Sequence, residues 1–163
     1  MEYLYAPWRT EYHGSKRDGC VFCDISTNPE NDAKNRVLYR DDRCFIVMNL
    51  YPYMPGHFMI VPHLHTDALE ALEPAVWLHI SRLAQNGVRL LKEYFGAKGV
   101  NIGMNLGIAG GAGIAEHIHL HLVPRWIGDT NFITALGDTR VFGHDFDAIY
   151  QKLLSKASEY FND

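Results

Sequence analysis

The sequence has no long apolar run, no basic tract and little cysteine, and each of these absences excludes a class of protein. In its 163 residues no segment approaches the roughly 18 apolar residues of a membrane span. Glu2 and Arg9 interrupt the first stretch of the chain, so we do not expect a secretory signal there. The net charge is −4 without a lysine or arginine run, so neither nucleic acid nor membrane is expected as a partner. An anionic ligand would have to be held at a local site.

Cysteine occurs three times, as one C-x-x-C pair and the isolated Cys44. An odd count with one such pair favours a reducing cytoplasm and a metal or redox role over a disulfide framework. Cys20 and Cys23 have the spacing of half a zinc knuckle, and the thioredoxin-type context of a redox pair is missing. Two buried, reduced thiols are the alternative without a function. Two further zinc ligands would have to come from elsewhere, and His63 and His65 are available in "VPHLH".

Repeats, low-complexity tracts and linkers are also absent, so we expect a single domain over residues 1–163. Residues 1–35, which carry the C-x-x-C pair, show no regular period and are predicted to be irregular. Periodicity and the positions of glycine and proline predict the remaining elements: strands at 36–40 and 44–50 joined by a turn at Asp41 and Asp42, a strand at 57–62, a helix at 74–95, strands at 99–106 and 116–126, and a helix at 145–161. This order predicts an α+β fold, in which a mostly antiparallel sheet carries one long central helix and a C-terminal helix. Along 99–106, Val100, Ile102 and Met104 are expected to face the core.

The segment "EHIHLHLVPRW" contains a row of histidines at strict two-residue spacing: His117, His119 and His121. In a strand these three rings share one face, while the spacers Ile118, Leu120 and Leu122 point into the core. Such a row can bind a metal, transfer protons, or present one ring as a nucleophile beside an acid or an anion clamp. Surface histidines on a half-exposed strand are the alternative without a function.

A glycine-rich loop precedes the histidine row. It spans residues 107–113 and contains four glycines: Gly107, Gly110, Gly111 and Gly113. Glycine lets a backbone approach a ligand closely, and successive N–H groups can form an anion-binding concavity. The signal is weak by itself, because many loops between strands are rich in glycine. Beside the histidine row it suggests phosphate.

"HIHLHLV" at 117–123 resembles the histidine triad motif, His-φ-His-φ-His-φ-φ with φ apolar, of the HIT superfamily of nucleotide hydrolases and transferases. The similarity also covers "LYAPWRTEY", "CVFCDI", "VMNLYPYMPGHFMIVPHLH", "NIGMNLG", "AEHIHLHLVPRWIGDTNF" and "GDTRV". These segments are nearest to a bacterial branch that includes diadenosine tetraphosphate phosphorylases and lies near the Fhit-like hydrolases. The resemblance implies a HIT-like fold, a small nucleotide as substrate, no organic cofactor, and a homodimer whose two half-sheets join into one sheet.

The resemblance also assigns roles to individual residues. His119, the middle histidine, would attack the α-phosphorus and form a nucleotidyl-histidine intermediate. His121 would hydrogen-bond the α-phosphate oxygens, and electrostatics adds that a protonated His121 can neutralise the charge that grows on them during the reaction. Further nucleotide contacts are expected from strand ends and loops: Asn49 at the ribose, His57, Asn105, Gly111 and Gly113.

In zinc-containing members of the superfamily, the first triad histidine and an upstream histidine complete a site with two cysteines. The resemblance therefore implies a zinc site with four ligands: Cys20, Cys23, His65 and His117. Such a closed, four-coordinate site would be structural. Without metal, His117 would only form hydrogen bonds within the triad.

Gly113 and Ile114 depart from the pattern of the family, which often has a glutamine followed by serine or threonine there. Backbone N–H groups, Glu116 or Arg140 are the candidates to replace those side chains. The expected function is cleavage of dinucleoside polyphosphates such as diadenosine tetraphosphate at the α-phosphate, with water or phosphate as acceptor. The alternatives are a nucleoside phosphoramidate or adenylyl-conjugate hydrolase, and a zinc-stabilised nucleotide-binding module with little turnover.

Overall fold

One antiparallel sheet organises the computed structural model, which describes residues 19–137 and 143–162. Its five strands are β1 (Val37–Arg40), β2 (Cys44–Met48), β3 (Phe58–Pro62), β4 (Gly99–Gly103) and β5 (Leu120–Arg125). Their spatial order is β1-β2-β3-β5-β4, and each neighbouring pair is antiparallel. The predicted α+β fold with a mostly antiparallel sheet is therefore confirmed.

The α-helices of the described residues are α1 (Val21–Thr27), α2 (Asp32–Asn35), α3 (Pro74–Arg89), α4 (Phe132–Gly137) and α5 (Phe146–Phe161). A π-helical turn at Leu90–Tyr94 completes the predicted central helix, and the predicted final helix is present as α5 with Asp145 as its N-cap. The prediction of an irregular N-terminal segment is wrong for residues 19–35, which contain α1 and α2. These helices span only two turns or less, too short to show a helical period in the sequence.

The two faces of the sheet bury separate cores. Helices α3 and α5 cover one face, where the larger core includes Phe58, Leu122 and Leu153. Helix α1 covers part of the other face, where Phe22 and Phe45 belong to a smaller apolar cluster. Every residue of β2 and β3 is buried, because these central strands are covered on both faces.

Strand β4 is an edge strand, and its burial differs from the prediction. Ile102 is 51% exposed, Val100 and Met104 are half-buried, and the strand ends at Gly103 rather than three residues later. An edge strand pairs on one side only, and the helices do not cover this edge. Ile102 pairs with Leu122 and therefore lies on the face of the larger core, as the alternation predicts, but at this edge its side chain stays exposed in the single chain.

Strand β5 begins at Leu120, four residues later than predicted, because the preceding histidines lie outside the sheet ladder. The N–H of Ile118 donates instead to the carbonyl of Thr66 at 2.8 Å. The alternation nevertheless holds, since Ile118, Leu120 and Leu122 are all buried in the larger core as predicted. Within the described part of the chain, no helix combines the length and the apolar character that crossing a membrane requires.

Candidate active site and metal centre

The histidine row lies on the face of the sheet opposite to α3 and α5, because its apolar spacers occupy the larger core. His117 and His119 are buried and His121 is half-buried. The ring of Phe22, from α1, packs against two of them, with centroid distances of 5.5 Å to His117 and 5.0 Å to His119. The sheet and α1 together therefore hold the row between them.

His119 has a defined tautomer. Its Nδ1 lies 2.8 Å from the carbonyl oxygen of His117, and a carbonyl can only accept a hydrogen bond. Nδ1 therefore carries the proton of the neutral ring, and Nε2 keeps the lone pair. Burial lowers the pKa of His119 below its ordinary value, although the hydrogen bond to His117 and the nearby Glu116 oppose the shift. The result is a neutral imidazole with a nucleophilic nitrogen.

His121 is oriented by a chain of hydrogen bonds that starts in the loop before β3. The backbone N–H of Tyr53 donates to Nδ1 of His57 at 3.2 Å, so the proton of neutral His57 is on Nε2. Nε2 of His57 in turn donates to Nδ1 of His121 at 2.9 Å. The proton of neutral His121 is therefore on Nε2, which is available as a donor to a ligand.

Both of these rings are neutral near pH 7. Burial, reinforced by the neighbouring histidines, lowers the pKa of His57 to about 3 and that of His121 to about 4. A protonated His121 at a bound phosphate stays a prediction, since this neutral state is that of the protein without a ligand. Because its tautomer is fixed by His57, His121 still offers one N–H to an anion.

An open cavity of about 630 Å³ lies in front of His119 and His121, which both line it. The predicted nucleotide contacts that line the same cavity are Asn49, Asn105, Gly111 and Gly113. His57 does not line the cavity; it is fully buried behind His121.

Asn49 is held by its own loop. Its Oδ1 accepts a hydrogen bond from the N–H of Tyr51 at 2.9 Å, and its Nδ2 lies 3.4 Å from Nδ1 of His57. These contacts fix the side chain at the wall of the cavity. A ribose contact by Asn49 stays a prediction.

The glycine loop needs glycine at two positions with left-handed backbone, Gly107 (φ 69°) and Gly111 (φ 86°). A short 3₁₀ turn, Ile108–Gly110, lies between them. Ile114 also lines the cavity and packs on the smaller core, which gives an apolar reason for its departure from the family pattern. Glu116 lines the cavity, whereas Arg140 lies outside the described residues.

The structure also brings a set of residues to the cavity that the sequence did not single out. They form an apolar wall beside the histidines: Val21, Phe22, Ile25, Val47 and Met59. An apolar cleft beside a few polar groups is the usual form of a small-molecule site. The signal was present in the apolar residues of "CVFCDI", but α1 is too short to show which face they share.

The four side chains predicted to bind zinc are brought together. Sγ of Cys20 lies 3.4 Å from Nδ1 of His117, and Sγ of Cys23 lies 3.2 Å from Nδ1 of His65. All four candidate ligand atoms lie within 4.8 Å of one another. Cys44 belongs instead to the larger core, where burial raises the pKa of its thiol.

The chemistry of this donor set fits zinc. Nε2 of His117 lies 2.9 Å from the carbonyl of Pro62, so the proton is on Nε2 and Nδ1 faces the cysteine sulfurs. A second hydrogen bond that fixes the tautomer is typical of a metal-binding histidine. Two thiolates and two imidazoles are a common set for a closed, tetrahedral zinc site.

Comparison with known proteins assigns the family. The protein-family model named HIT domain matches residues 30–126, which is more than half of the chain. The chain belongs to the HIT domain family. Among solved structures, this HIT chain is similar to a Zn-bound histidine triad family protein from Mycobacterium smegmatis. The TM-score is 0.70 at 28% identity, over 86% of this chain and 94% of that one.

Curated relatives of the HIT chain include an AP-4-A phosphorylase from Mycobacterium tuberculosis. It is 38% identical over 143 residues, which cover 86% of this chain and 72% of the relative. An adenylylsulfatase HINT3 from Arabidopsis thaliana is 31% identical over 109 residues, 67% of this chain and 53% of that protein. The named relatives are thus nucleotide-cleaving HIT enzymes.

Proposed function

We propose that this HIT protein is a nucleotidyl-transfer enzyme that cleaves dinucleoside polyphosphates at the α-phosphate. The observation that carries the proposal is the tautomer of His119, whose Nδ1 is bound to a carbonyl so that Nε2 keeps its lone pair beside the cavity. The similarity to the M. tuberculosis AP-4-A phosphorylase supports this substrate class. The whole chain, 1–163, would act as one HIT-like domain.

In the proposed reaction, Nε2 of His119 attacks the α-phosphorus of the nucleotide. A bond forms between nitrogen and phosphorus, the bridging P–O bond breaks, and the remaining polyphosphate leaves. A neutral imidazole can approach phosphate oxygens that would repel an anionic nucleophile. In a second displacement an acceptor attacks the nucleotidyl-histidine and restores His119.

The proposed stabilisation of the transition state comes from neutral donors. Nε2–H of His121 can donate to a non-bridging oxygen, and the tautomer that permits this is set by His57. Backbone N–H groups near Gly111 and Gly113, in the cavity wall, can donate to other oxygens. Asn105, in the same wall, is the candidate polar side chain at the phosphates.

The proposed zinc site would be held by Cys20, Cys23, His65 and His117, with a structural role. Zinc would supply a cross-link between α1, the loop after β3 and the segment that carries the nucleophile. A reducing compartment such as the cytoplasm would keep both thiols available for the metal. None of the chemical steps above requires the metal.

We also propose a homodimer joined along β4. An apolar groove beside this edge is formed by α3, β4 and β5, with Trp77, Val88, Ile102 and Leu120 in its lining. Edge strands with free hydrogen-bonding groups and an apolar side are natural pairing surfaces. A second copy placed there would continue the sheet and bury the exposed side chain of Ile102.

The test is to incubate the protein with diadenosine tetraphosphate, with and without inorganic phosphate, and to separate the products. ADP and ATP formed only with phosphate indicate a phosphorylase. AMP and ATP formed without phosphate indicate a hydrolase. Absence of turnover with nucleotide still bound would overturn the enzymatic proposal in favour of a zinc-stabilised binding module.

A second candidate is hydrolysis of adenylyl conjugates or nucleoside phosphoramidates. The specific observation in its favour is the similarity to the Arabidopsis adenylylsulfatase. It uses the same nucleophile and needs only a different leaving group, so adenylyl sulfate and an adenosine phosphoramidate belong in the same assay. A kcat/KM for either that exceeds the value for diadenosine tetraphosphate would favour this candidate.

A further inference from the structure

We propose that metal occupancy and nucleotide affinity are coupled through α1, and that Phe22 is the positioning residue that connects the two sites. The inference rests on the proposed function, because it requires that the cavity binds nucleotide. It concerns what the metal site does for the nucleotide site, beyond holding the fold together.

Phe22 contacts both sites at once. It lies between Cys20 and Cys23 in the chain, so two candidate metal ligands flank it. Its ring meets His117 edge-on at 5.5 Å and lies 5.0 Å from the ring of His119. The side chain is only 2% exposed, yet it forms part of the cavity wall. One residue thus contacts a candidate ligand, the proposed nucleophile and the space for the nucleotide.

The two ends of α1 are held differently. At its C-terminal end, the guanidinium of Arg40 donates to the carbonyls of Ser26 at 2.9 Å and Ile25 at 2.7 Å. The hydroxyl of Ser26 also lies 2.7 Å from Nδ1 of His63. These contacts involve no metal ligand, so they persist whether or not a metal is bound.

Within residues 19–137 and 143–162, no side chain from outside α1 forms such a hydrogen bond with the backbone of its N-terminal end. Its N-cap residue is Cys20, which makes no side-chain capping bond, and the thiols of Cys20 and Cys23 meet His117 and His65. With a metal, these four groups are tied together. Without one, the thiols make only weak hydrogen bonds, and the end that carries Phe22 is the end that loosens.

The consequence is a thermodynamic coupling between the binding of the metal ion and the binding of the nucleotide. A bound metal would hold Phe22 in its place against His119, and with it the apolar wall that Val21, Phe22 and Ile25 present to the cavity. A nucleotide that packs on this wall favours the same position of α1. Since such coupling is reciprocal, the nucleotide must raise metal affinity by the factor by which the metal raises nucleotide affinity.

The experiment measures the zinc dissociation constant of the full chain by competition with a chromogenic chelator, with and without saturating AMP. In the wild type, AMP should tighten zinc binding about tenfold, within the usual range for coupled sites. Phe22→Leu should reduce this factor to below about twofold, because the connecting ring is lost. If Phe22→Leu does not fold, Phe22→Met keeps most of the volume and is measured instead.

Phe45→Leu is the matched control. Phe45 is fully buried in the same small core and its ring lies 6.4 Å from that of Phe22, but it does not line the cavity. This variant should retain the coupling. It should also retain the single-turnover rate of nucleotidyl transfer, whereas Phe22→Leu should lower that rate at saturating substrate because His119 loses one of its two ring partners, Phe22 and His121.

Three results would overturn the proposal. Equal zinc affinity of the wild type with and without AMP would exclude the coupling between the two sites and leave the proposed function intact. An equal loss of coupling in both variants would assign it to general packing and remove the special role of Phe22. Failure of AMP to bind the zinc-loaded wild type would overturn the nucleotide site itself, and the coupling with it.

Discussion

Single hydrogen bonds to the backbone decide which nitrogen of each histidine is available for chemistry. Nε2 of His117 donates to the carbonyl of Pro62, which leaves Nδ1 toward the cysteines. Nδ1 of His119 donates to the carbonyl of His117, which leaves Nε2 beside the cavity. Two residues of the same type, two positions apart, therefore offer opposite nitrogens, one suited to a metal and one to phosphorus.

Removal of the nucleophile tests the assignment of His119. We expect His119→Ala to lower the rate of diadenosine tetraphosphate cleavage by at least about a thousandfold, because no covalent intermediate can form. AMP binding and the free energy of unfolding should change little. The exposed His144 provides a control, since His144→Ala should keep wild-type activity. Wild-type turnover by His119→Ala would refute the assignment of His119 as the nucleophile.

The buried pair of His57 and His121 should make stability depend on pH. In the unfolded chain histidines bind protons below about pH 6.5, whereas burial lowers the folded pKa of His57 to about 3 and of His121 to about 4. The unfolded state therefore binds more protons between these values, so stability is complete above pH 6.5 and falls as the pH decreases toward 4.

His57→Asn removes one of these groups. The slope of unfolding free energy against pH should decrease by up to about 1.4 kcal/mol per pH unit in that window. Urea denaturation at pH 7.5, 6.0 and 5.0 measures it. Identical slopes for wild type and His57→Asn would contradict the buried, neutral state.

At the scale of secondary structure elements, Asp41 joins the β1–β2 hairpin to α3. One carboxylate oxygen accepts the N–H groups of Arg43 at 2.8 Å and Cys44 at 2.9 Å. The other accepts the hydroxyl of Tyr39 at 3.1 Å and Nε2 of His79 on α3 at 2.6 Å. Burial alone would raise the pKa of Asp41, but these hydrogen bonds outweigh it and lower the pKa.

Asp41 and its neighbour Asp42 offer a matched comparison. Asp41→Asn should lower the free energy of unfolding by about 2 kcal/mol, because hydrogen bonds to a buried charged group are lost. Asp42→Asn should change it by less than about 0.5 kcal/mol, since that side chain is 87% exposed. The difference should begin to shrink as the pH falls below about 4, where aspartate in the unfolded chain binds a proton, and it should disappear only as the pH falls through the lowered pKa of folded Asp41. Equal effects of both variants in urea denaturation would exclude a stabilising link between the β1–β2 hairpin and α3 through Asp41.

At the scale of the whole molecule, the sheet separates the larger hydrophobic core from the candidate active site. The larger core lies on one face under α3 and α5, and the triad histidines, the cavity, Cys20 and Cys23 lie on the other. The metal cluster joins three segments that are distant in the chain, α1, the loop after β3 and the start of the triad. The open edge at β4 adds the surface at which a second copy would complete the sheet.

The zinc site predicts a change in metal content. Purified wild type should hold about one zinc ion for each chain, and Cys23→Ser should lose most of it, because a hydroxyl is a poor ligand for a structural zinc site. Cys44→Ser is the control, because Cys44 lies outside the four-ligand group, in a separate group with Asp41 and His79, and its loss should leave the zinc ion of the four-ligand site in place. Elemental analysis measures both, and equal zinc in wild type and Cys23→Ser would refute the ligand set.

The proposed dimer predicts a change in mass in solution. Ile102→Lys should convert the dimer to monomers, because it places a charge in the apolar groove beside β4. Ile127→Lys, at a side chain that is 93% exposed and outside that groove, should leave the dimer intact. Sedimentation velocity distinguishes the two. A monomeric wild type, or a dimeric Ile102→Lys variant, would contradict this interface.

The sequence by itself determined the alternation of the histidine row, the antiparallel hairpins and both long helices. It did so because a period of two or 3.6 residues is a local property of the chain. The C-x-x-C spacing is equally local, so a metal or redox pair could be predicted from the residues. The remaining ligands and the nucleophile came from resemblance to the histidine triad motif.

Only the tertiary structure decided the contacts between distant segments. It showed that His57 lies behind His121 rather than in the cavity wall, that Ile102 lies on an open edge, and that Phe22 packs on two triad histidines. The tautomer of His117 follows from the carbonyl of Pro62 and that of His121 from His57, both distant in the chain, and the lowered pKa values follow from burial. No local period encodes such contacts, because they arise from the packing of α1 and the strands against one another.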